Sequence, residues 1–356
     1  MRIATLSNGA VVHTTRWAEH FRARGHDVRV FSLEPFAGGP GPHDVRLPSA
    51  PLPGVLRYPL ALPRLVHELG RFAPDLIDAH YVPNYGMLGA LCGRRPLSVA
   101  AWGSDLLLTA GRDPLQQARA RFVLRRADLV LCDADNLAAA ARRAGARPET
   151  VRALPWGVDR TRFRPAAERE RGLLLSTRMH EPVYDLPTLW RAAALVLAQQ
   201  PHATLVIAGD GSQRASLERL AAEVLPAGRY RFLGRLAPIE LAGWLARADV
   251  FLSASRSDST SQSLLEAMSA GALPVVSDIE GNREWVAEGE GARLFAPGDV
   301  AGCARALTHA LADEGWAASA RARNAAVIAA RADWPTNLGR IERWFGQLVA
   351  REPLSP

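Results

Sequence analysis

The sequence predicts an α/β protein built from two parallel-sheet domains, and three observations carry that prediction. Short β-branched or aliphatic runs alternate with longer amphipathic stretches along most of the chain, the pattern of strands joined by crossover helices. The alternation halts at Pro155-Trp156-Gly157-Val158-Asp159 and on to Pro165, passes a polar stretch, Ala166–Arg171, and then restarts, as it would between two domains. At 356 residues and 48% apolar composition, the chain is long for one hydrophobic core and well supplied for two.

In the first half the strand candidates are Ile3–Ser7, Val28–Ser32, Leu76–Ala79, Ser98–Ala101, Leu129–Cys132 and Val151–Leu154. The clearest helices are Val12–Arg24 and Leu115–Arg126. The first sets Trp17 and Phe21 one turn apart on one face and meets Gly25, a favourable residue just past a helix end. The Pro/Gly-rich stretch Gly38–Pro53 reads as a loop. In the second half strands at Leu173–Ser176, Thr204–Ala208, Tyr230–Leu233, Val250–Leu252 and Leu273–Ser277 alternate with helices at Leu186–Gln199, Ser212–Leu225, Pro238–Arg247 and Ser263–Ala270. Helices fill the remainder, with a break near Trp334-Pro335. The expected division is 1–165, 166–330 and a C-terminal helix, 331–356, that packs back on the first domain.

Composition excludes several classes. The apolar content excludes a disordered chain. No run approaches the roughly 18 apolar residues of a membrane-spanning helix, and Met1–Asn8 reads as a first strand rather than a signal peptide. Cys92, Cys132 and Cys303 lack metal or redox spacing and read as free thiols of a cytoplasmic protein. All 43 basic residues are arginine, so any cationic phosphate contact must come from a guanidinium. Residues 1–165 carry 23 Arg against 14 acids, and residues 166–356 carry 20 Arg against 22. The basic half suits an anionic acceptor or peripheral contact with an anionic inner membrane face, or simply an arginine-rich solvated surface.

Four loops at strand ends carry candidate chemistry. Gly9, in Ser7-Asn8-Gly9-Ala10, lets backbone approach a ligand at a helix start, although the segment alone is also an ordinary strand-to-helix turn, and no G-x-G-x-x-G is present. Arg178 ends the first strand of the second half, where a guanidinium can bind a diphosphate, or can pair with a local acid such as Glu181. Gly209 and Gly211 flank Asp210 between a buried strand and a helix, with Ser212 as a candidate N-cap; Asp210 fits a role in the turn alone. The segment from Asp258 through Ser259, Thr260, Ser261 and Ser263 to Leu264 and Glu266 sets two carboxylates beside hydroxyls and open backbone N–H groups at a helix start. Carboxylates there can accept from the diols of a sugar and a ribose; a serine-rich cap with a surface Glu266 is the plainer reading.

Together these segments resemble family 4 of the retaining glycosyltransferases. The resemblance rests on Pro155–Pro165, on Leu205-Val206-Ile207-Ala208-Gly209-Asp210-Gly211, on Phe232–Leu236, on Ala248–Ser253 and on Leu264–Pro274. In the first half Ala23–Val30 and Asp78-Ala79-His80 are also similar. The resemblance implies the GT-B fold, two Rossmann-like domains facing a central cleft, with a nucleotide-sugar donor in the second domain and an acceptor in the first. By that resemblance Glu266 holds the ribose and Asp258 stands where a Glu of the family's E-x7-E motif approaches the transferred sugar. Ser259, Thr260, Ser261, Ser263 and Leu264 meet sugar and phosphates. Arg178 contacts the diphosphate, Arg235 and Leu236 touch the base, and Gly9 approaches the diphosphate from the first domain.

Three departures stand out. Asp258 replaces the longer Glu. The family's Lys, about five residues beyond the Arg, is absent from Pro182-Val183-Tyr184-Asp185, where the Tyr184 hydroxyl is a candidate substitute. A His common in the fifth-strand loop is replaced by Trp102 in Ala101-Trp102-Gly103-Ser104-Asp105, whose indole can donate and stack on a sugar. His80, Trp102, Asp105 and His13 are the candidates for positioning acceptor or sugar, and either histidine also fits an ordinary structural role. The expected activity is transfer of a hexosyl or N-acetylhexosaminyl group from a nucleotide diphosphate sugar, UDP- ahead of GDP-, with retention and without metal or other cofactor. Acceptors are a glycan, a lipid-linked sugar or a small molecule, and no nucleic acid partner is expected. The alternatives are a sugar-nucleotide epimerase of the same fold and a non-catalytic nucleotide-sugar-binding subunit.

Overall fold

The computed structural model describes residues 1–37, 39–49, 54–109 and 113–355. The chain forms two compact units, one of residues 1–154 and 336–356 and the other of residues 155–335. The division falls after Leu154 rather than at 165, so the Pro155–Pro165 crossover belongs to the second unit.

Among the described residues the first unit holds seven parallel strands: β1 (Arg2–Leu6), β2 (Asp27–Ser32), β3 (Val45–Arg46), β4 (Leu76–His80), β5 (Leu97–Ala100), β6 (Leu129–Cys132) and β7 (Val151–Ala153). Their order is β3-β2-β1-β4-β5-β6-β7, so the chain runs outward from β1 to one edge and then returns to build the other. Helix Val12–Ala23 buries Trp17 and Phe21 against the sheet, as their spacing predicts, and the two rings lie 5.5 Å apart.

Two expectations for this unit are corrected. Within the expected loop Gly38–Pro53, Val45–Arg46 pairs with Phe31–Ser32 as a short edge strand; Gly38 and residues 50–53 lie outside the described residues. Helix Gly54–Phe72 was not anticipated, because it carries Pro59 and Pro63, which remove backbone donors and mimic a break in the sequence.

The second unit holds six parallel strands: β8 (Glu170–Ser176), β9 (Thr204–Ala208), β10 (Tyr230–Gly234), β11 (Ala248–Ser253), β12 (Leu273–Ser277) and β13 (Arg293–Phe295), in the order β10-β9-β8-β11-β12-β13. Both faces of this sheet are covered. Leu174, Val250 and Leu252 enter a core with Trp190 and Leu205, while Leu173, Leu175 and Phe251 enter another with Leu264, Leu265 and Met268. That two-sided burial explains why these strands read as continuous apolar runs.

The strand order reverses between the parallel neighbours β8 and β11, which places two adjacent strand ends at a topological switch point, where loops diverge and ligands bind in open α/β sheets. In the first unit β1 and β4 stand in the same relation.

The C-terminal residues are integral to the first unit. Helix Trp334–Ala350 buries Leu338, Ile341, Trp344 and Phe345, and Phe345 stacks on Phe21 with ring centroids 5.4 Å apart. Glu342 of the same helix accepts a hydrogen bond from His26 at 2.8 Å and pairs with Arg24. Phe345→Ala should therefore destabilise the first unit by about 3–5 kcal/mol, the cost of a fully buried aromatic and its cavity. Urea unfolding followed by circular dichroism reads this; a loss below about 1 kcal/mol would show that the C-terminal helix contributes little.

Candidate donor and acceptor sites

In the second unit the site forms where β8 and β11 end side by side. Arg178 follows β8, is only 7% exposed, and turns its guanidinium onto the loop after β11. One terminal nitrogen donates to Ser261 Oγ at 2.7 Å and Ser263 Oγ at 2.6 Å, and the other to Asp258 Oδ2 at 2.5 Å. Arg178 Nε has no partner among the described residues. The partner of Arg178 is thus Asp258, not Glu181. Glu181 instead accepts from the backbone N–H of Ser212 at 2.8 Å and from its hydroxyl at 2.5 Å. Those two bonds hold the Glu181 carboxyl below the usual carboxylate range.

The guanidinium also lies 4.1 Å from the centre of the Tyr184 ring. The aromatic face of Tyr184, rather than its hydroxyl, is what meets the cation, an interaction that strengthens when desolvated. Ser261 caps helix Gln262–Ala270, its hydroxyl accepting from Leu264 N at 3.4 Å. The first turn of that helix therefore opens at the same place as the arginine, adding partial positive charge from backbone donors.

Glu266, one turn in, is 8% exposed, so it is not a surface residue; Gln262 bridges it to the Gly157 carbonyl at 3.4 and 3.1 Å. Thr260 accepts from the Trp285 indole at 3.3 Å, and Ser259 and Ser261 are buried. Two glycines make this packing possible. A methyl on Gly281 would overlap the carbonyl oxygens of Asp258 and Ser259, and Gly209, at φ +127°, lies against the Arg178 carbonyl. Ser212 does not cap the following helix, which begins at Arg214 after Gln213. Arg235 and Leu236 follow β10, with Arg235 exposed.

His180 was not singled out in the sequence. It is fully buried beneath the Gly209–Gly211 loop, its backbone N–H donating to the Asp210 carbonyl at 3.0 Å, and both ring nitrogens lack partners among the described residues. Burial, with the Arg214 cation adding to it, lowers its pKa.

The first unit gathers His13, His80, Trp102 and Asp105 at the ends of β4 and β5. The Trp102 ring meets His13 at 5.9 Å and His80 at 5.8 Å, both edge-on. The buried Asp78 carboxylate accepts from the Trp17 indole at 2.9 Å and lies 3.0 Å from His80 Nε2. Burial, then the Arg16 cation and His80, lower the His13 pKa to about 4, so His13 is neutral at ordinary pH. Asp105 is 1% exposed, and its carboxylate faces backbone amides rather than solvent. Gly9 packs under Phe36, whose ring a methyl there would meet at 2.6 Å, and its N–H donates to Ser32 Oγ at 2.9 Å. Gly281 went unnoticed in the sequence, and Asp78 was given no role of its own, because each acts through a contact distant along the chain, with the Asp258–Ser259 backbone and with Trp17.

Known proteins resemble this chain in sequence and in fold. Residues 8–157 match the glycosyl transferase 4-like domain and residues 170–313 the glycosyl transferases group 1 model. D-inositol 3-phosphate glycosyltransferase 2 of Catenulispora acidiphila is 31% identical over 79% of this chain and 71% of its own length. A GDP-mannose-dependent alpha-mannosyltransferase of Mycolicibacterium smegmatis is 29% identical over 86% of each chain. The fold is similar to sucrose-phosphate synthase from Thermosynechococcus elongatus, with a TM-score of 0.86, 21% identity, and coverage of 99% of this chain and 100% of that one. It is also similar to Anabaena HepE in complex with UDP-glucose, with a TM-score of 0.83, 20% identity, and coverage of 98% and 100%. The chain belongs to the GT-B glycosyltransferases.

The Gly281 contact gives a paired test. Gly281→Ala should push the Asp258–Ser259 backbone away and destabilise the second unit by about 1–3 kcal/mol through overpacking. Gly243→Ala, in a helix with open space around it, should stabilise by up to about 1 kcal/mol. Equal melting temperatures for the two variants would refute the close approach.

Proposed function

We propose that this chain is a retaining glycosyltransferase that moves a hexosyl or N-acetylhexosaminyl group from a nucleotide diphosphate sugar, UDP- in preference to GDP-, to an acceptor hydroxyl. The observation that carries the donor side is Arg178, buried at the end of β8 and aimed at Asp258 and the helix that starts at Gln262. Support also comes from family membership and from the UDP-glucose complex of the similarly folded HepE.

In the proposed reaction the bond from the anomeric carbon to the leaving phosphate oxygen breaks as the acceptor oxygen bonds to that carbon on the same face. The acceptor proton passes to the departing phosphate oxygen, so no side chain is required as base. Arg178 and the N–H groups at the start of helix Gln262–Ala270 offset the charge that develops on the diphosphate, without a metal. Asp258 and Glu266 accept from the hydroxyls of the sugar and of the ribose, respectively. Ser259, Thr260, Ser261, Ser263 and Leu264 line sugar and phosphates, Gly209 lets backbone approach the donor, and Arg235 and Leu236 touch the base. The first unit takes the acceptor, with Trp102 as a stacking face and His13, His80 and Asp105 around it. The acceptor is a glycan, a lipid-linked sugar or a small molecule.

No helix among the described residues is long and apolar enough to cross a membrane. The protein is placed in the cytoplasm, where the 23 Arg against 14 acids in residues 1–165 suit contact with an anionic membrane face.

Nucleotide release from UDP-glucose tests the donor site. Arg178→Ala should slow release by about 100- to 1,000-fold, the usual cost of a group that stabilises transition-state charge. Release unchanged in that variant defeats the assignment, and donor binding without turnover under any acceptor indicates a binding subunit instead. Flotation with vesicles tests the membrane reading: binding to phosphatidylglycerol-containing vesicles should exceed binding to neutral ones, and equal binding rejects it.

A further inference from the structure

The loops that follow β4 and β5 have unusual backbones. Both enter π-helical turns, Tyr81–Tyr85 and Asp105–Thr109, a form uncommon outside functional regions. Tyr81, immediately after His80, sits at φ +72°, a left-handed conformation that a tyrosine adopts only when its surroundings impose it.

The two strands pair in parallel up to His80 opposite Ala100. Two residues further on, Val82, which is buried, and Trp102, which is half-buried, have left the ladder, and their N–H groups need new acceptors. A single side chain supplies both. Asp105 Oδ2 accepts from Val82 N at 3.0 Å and from Trp102 N at 3.2 Å, while Oδ1 lies 3.1 Å from Trp102 N. Burial raises the Asp105 pKa to about 6, and only backbone N–H groups act against it. The carboxylate is thus held by amides rather than by a cation.

We infer that Asp105 is a positioning residue: its carboxylate replaces the lost sheet hydrogen bonds between the β4 and β5 loops and so fixes His80 relative to Trp102. The inference deepens the acceptor reading of the first unit and rests on it for its functional meaning. Asp105 is covered, so it acts on an acceptor only through those two side chains. An amide cannot replace it, because one arm of Asn would present N–H toward N–H. A longer Glu has no room in a site that is 1% exposed.

The test compares Asp105→Asn with Asp128→Asn, which alters a carboxylate that accepts from a backbone N–H, that of Leu97 at 2.9 Å, at the opposite end of β5. In Asp105→Asn, amide exchange at Val82 and Trp102 should rise at least about tenfold beyond any change in global opening. The Trp102 indole and His80 ring resonances should shift or broaden. Asp128→Asn should lower the melting temperature and leave those resonances in place. With UDP-glucose as donor and n-octyl glucoside as acceptor probe, the ratio of transfer to hydrolysis should fall at least tenfold in Asp105→Asn, and the melting shift given by UDP-glucose should stay the same. Unchanged exchange and resonances in Asp105→Asn overturn the strut. Moved resonances with an unchanged transfer ratio overturn its positioning role. If the wild type turns over no donor with any acceptor, the enzyme reading fails, while the exchange and resonance measurements still decide the strut.

Discussion

The buried guanidinium of Arg178 is the constraint around which the second unit is arranged. A cation taken out of water is tolerated only where geometry and hydrogen bonds compensate it closely. The compensation comes from one loop, through Asp258, Ser261 and Ser263, and from the Tyr184 ring below. It is possible because β8 and β11 are neighbours in the sheet, which brings residues some eighty positions apart to adjacent strand ends. Gly281 lets a short helix close on the back of that loop, and Gly209 lets the β9 loop close on the Arg178 backbone. Replacing either glycine moves the cation or its partners.

The first unit solves a related problem with the opposite charge. Two buried carboxylates organise its strand ends: Asp78 gathers Trp17 and His80, and Asp105 gathers the amides of Val82 and Trp102. Neither forms an ion pair with an arginine among the described residues, despite the many arginines in this half. The two carboxylates are met by backbone amides, an indole and an imidazole. Neutral His13, held so by burial and nearby positive charge, fits the same pattern.

The fold was legible wherever strands are covered on both faces. Leu129–Cys132, Thr204–Ala208 and Leu273–Ser277 have the bounds read from the sequence, because continuous apolar runs have sharp ends. Strands β3 and β13 were not legible: they are two and three residues long, lie at sheet edges, and contain Arg46 and Arg293. Helix Gly54–Phe72 was hidden by two prolines that tertiary packing accommodates. In the candidate site, residue types at strand ends could be read, but partners could not. Whether Arg178 meets Glu181 or Asp258 depends on loop paths, and local spacing favours the wrong acid. Tyr184 was noticed for its hydroxyl and serves with its ring. Asp105 stood out as a polar group near a ligand loop, yet it lies inside the backbone it braces.

The absence of lysine reaches beyond composition. Every basic side chain other than histidine is a guanidinium, which keeps its proton across the whole range in which a protein stays folded. None can become a free amine, so none can condense with the open-chain aldehyde of a reducing sugar. In alkali the charge around a bound phosphate is set by the ligand's own ionisation and not by loss of a proton from its side-chain cations. A glycosyltransferase of this composition thereby offers no side-chain amine on which a reducing sugar could form an aldimine.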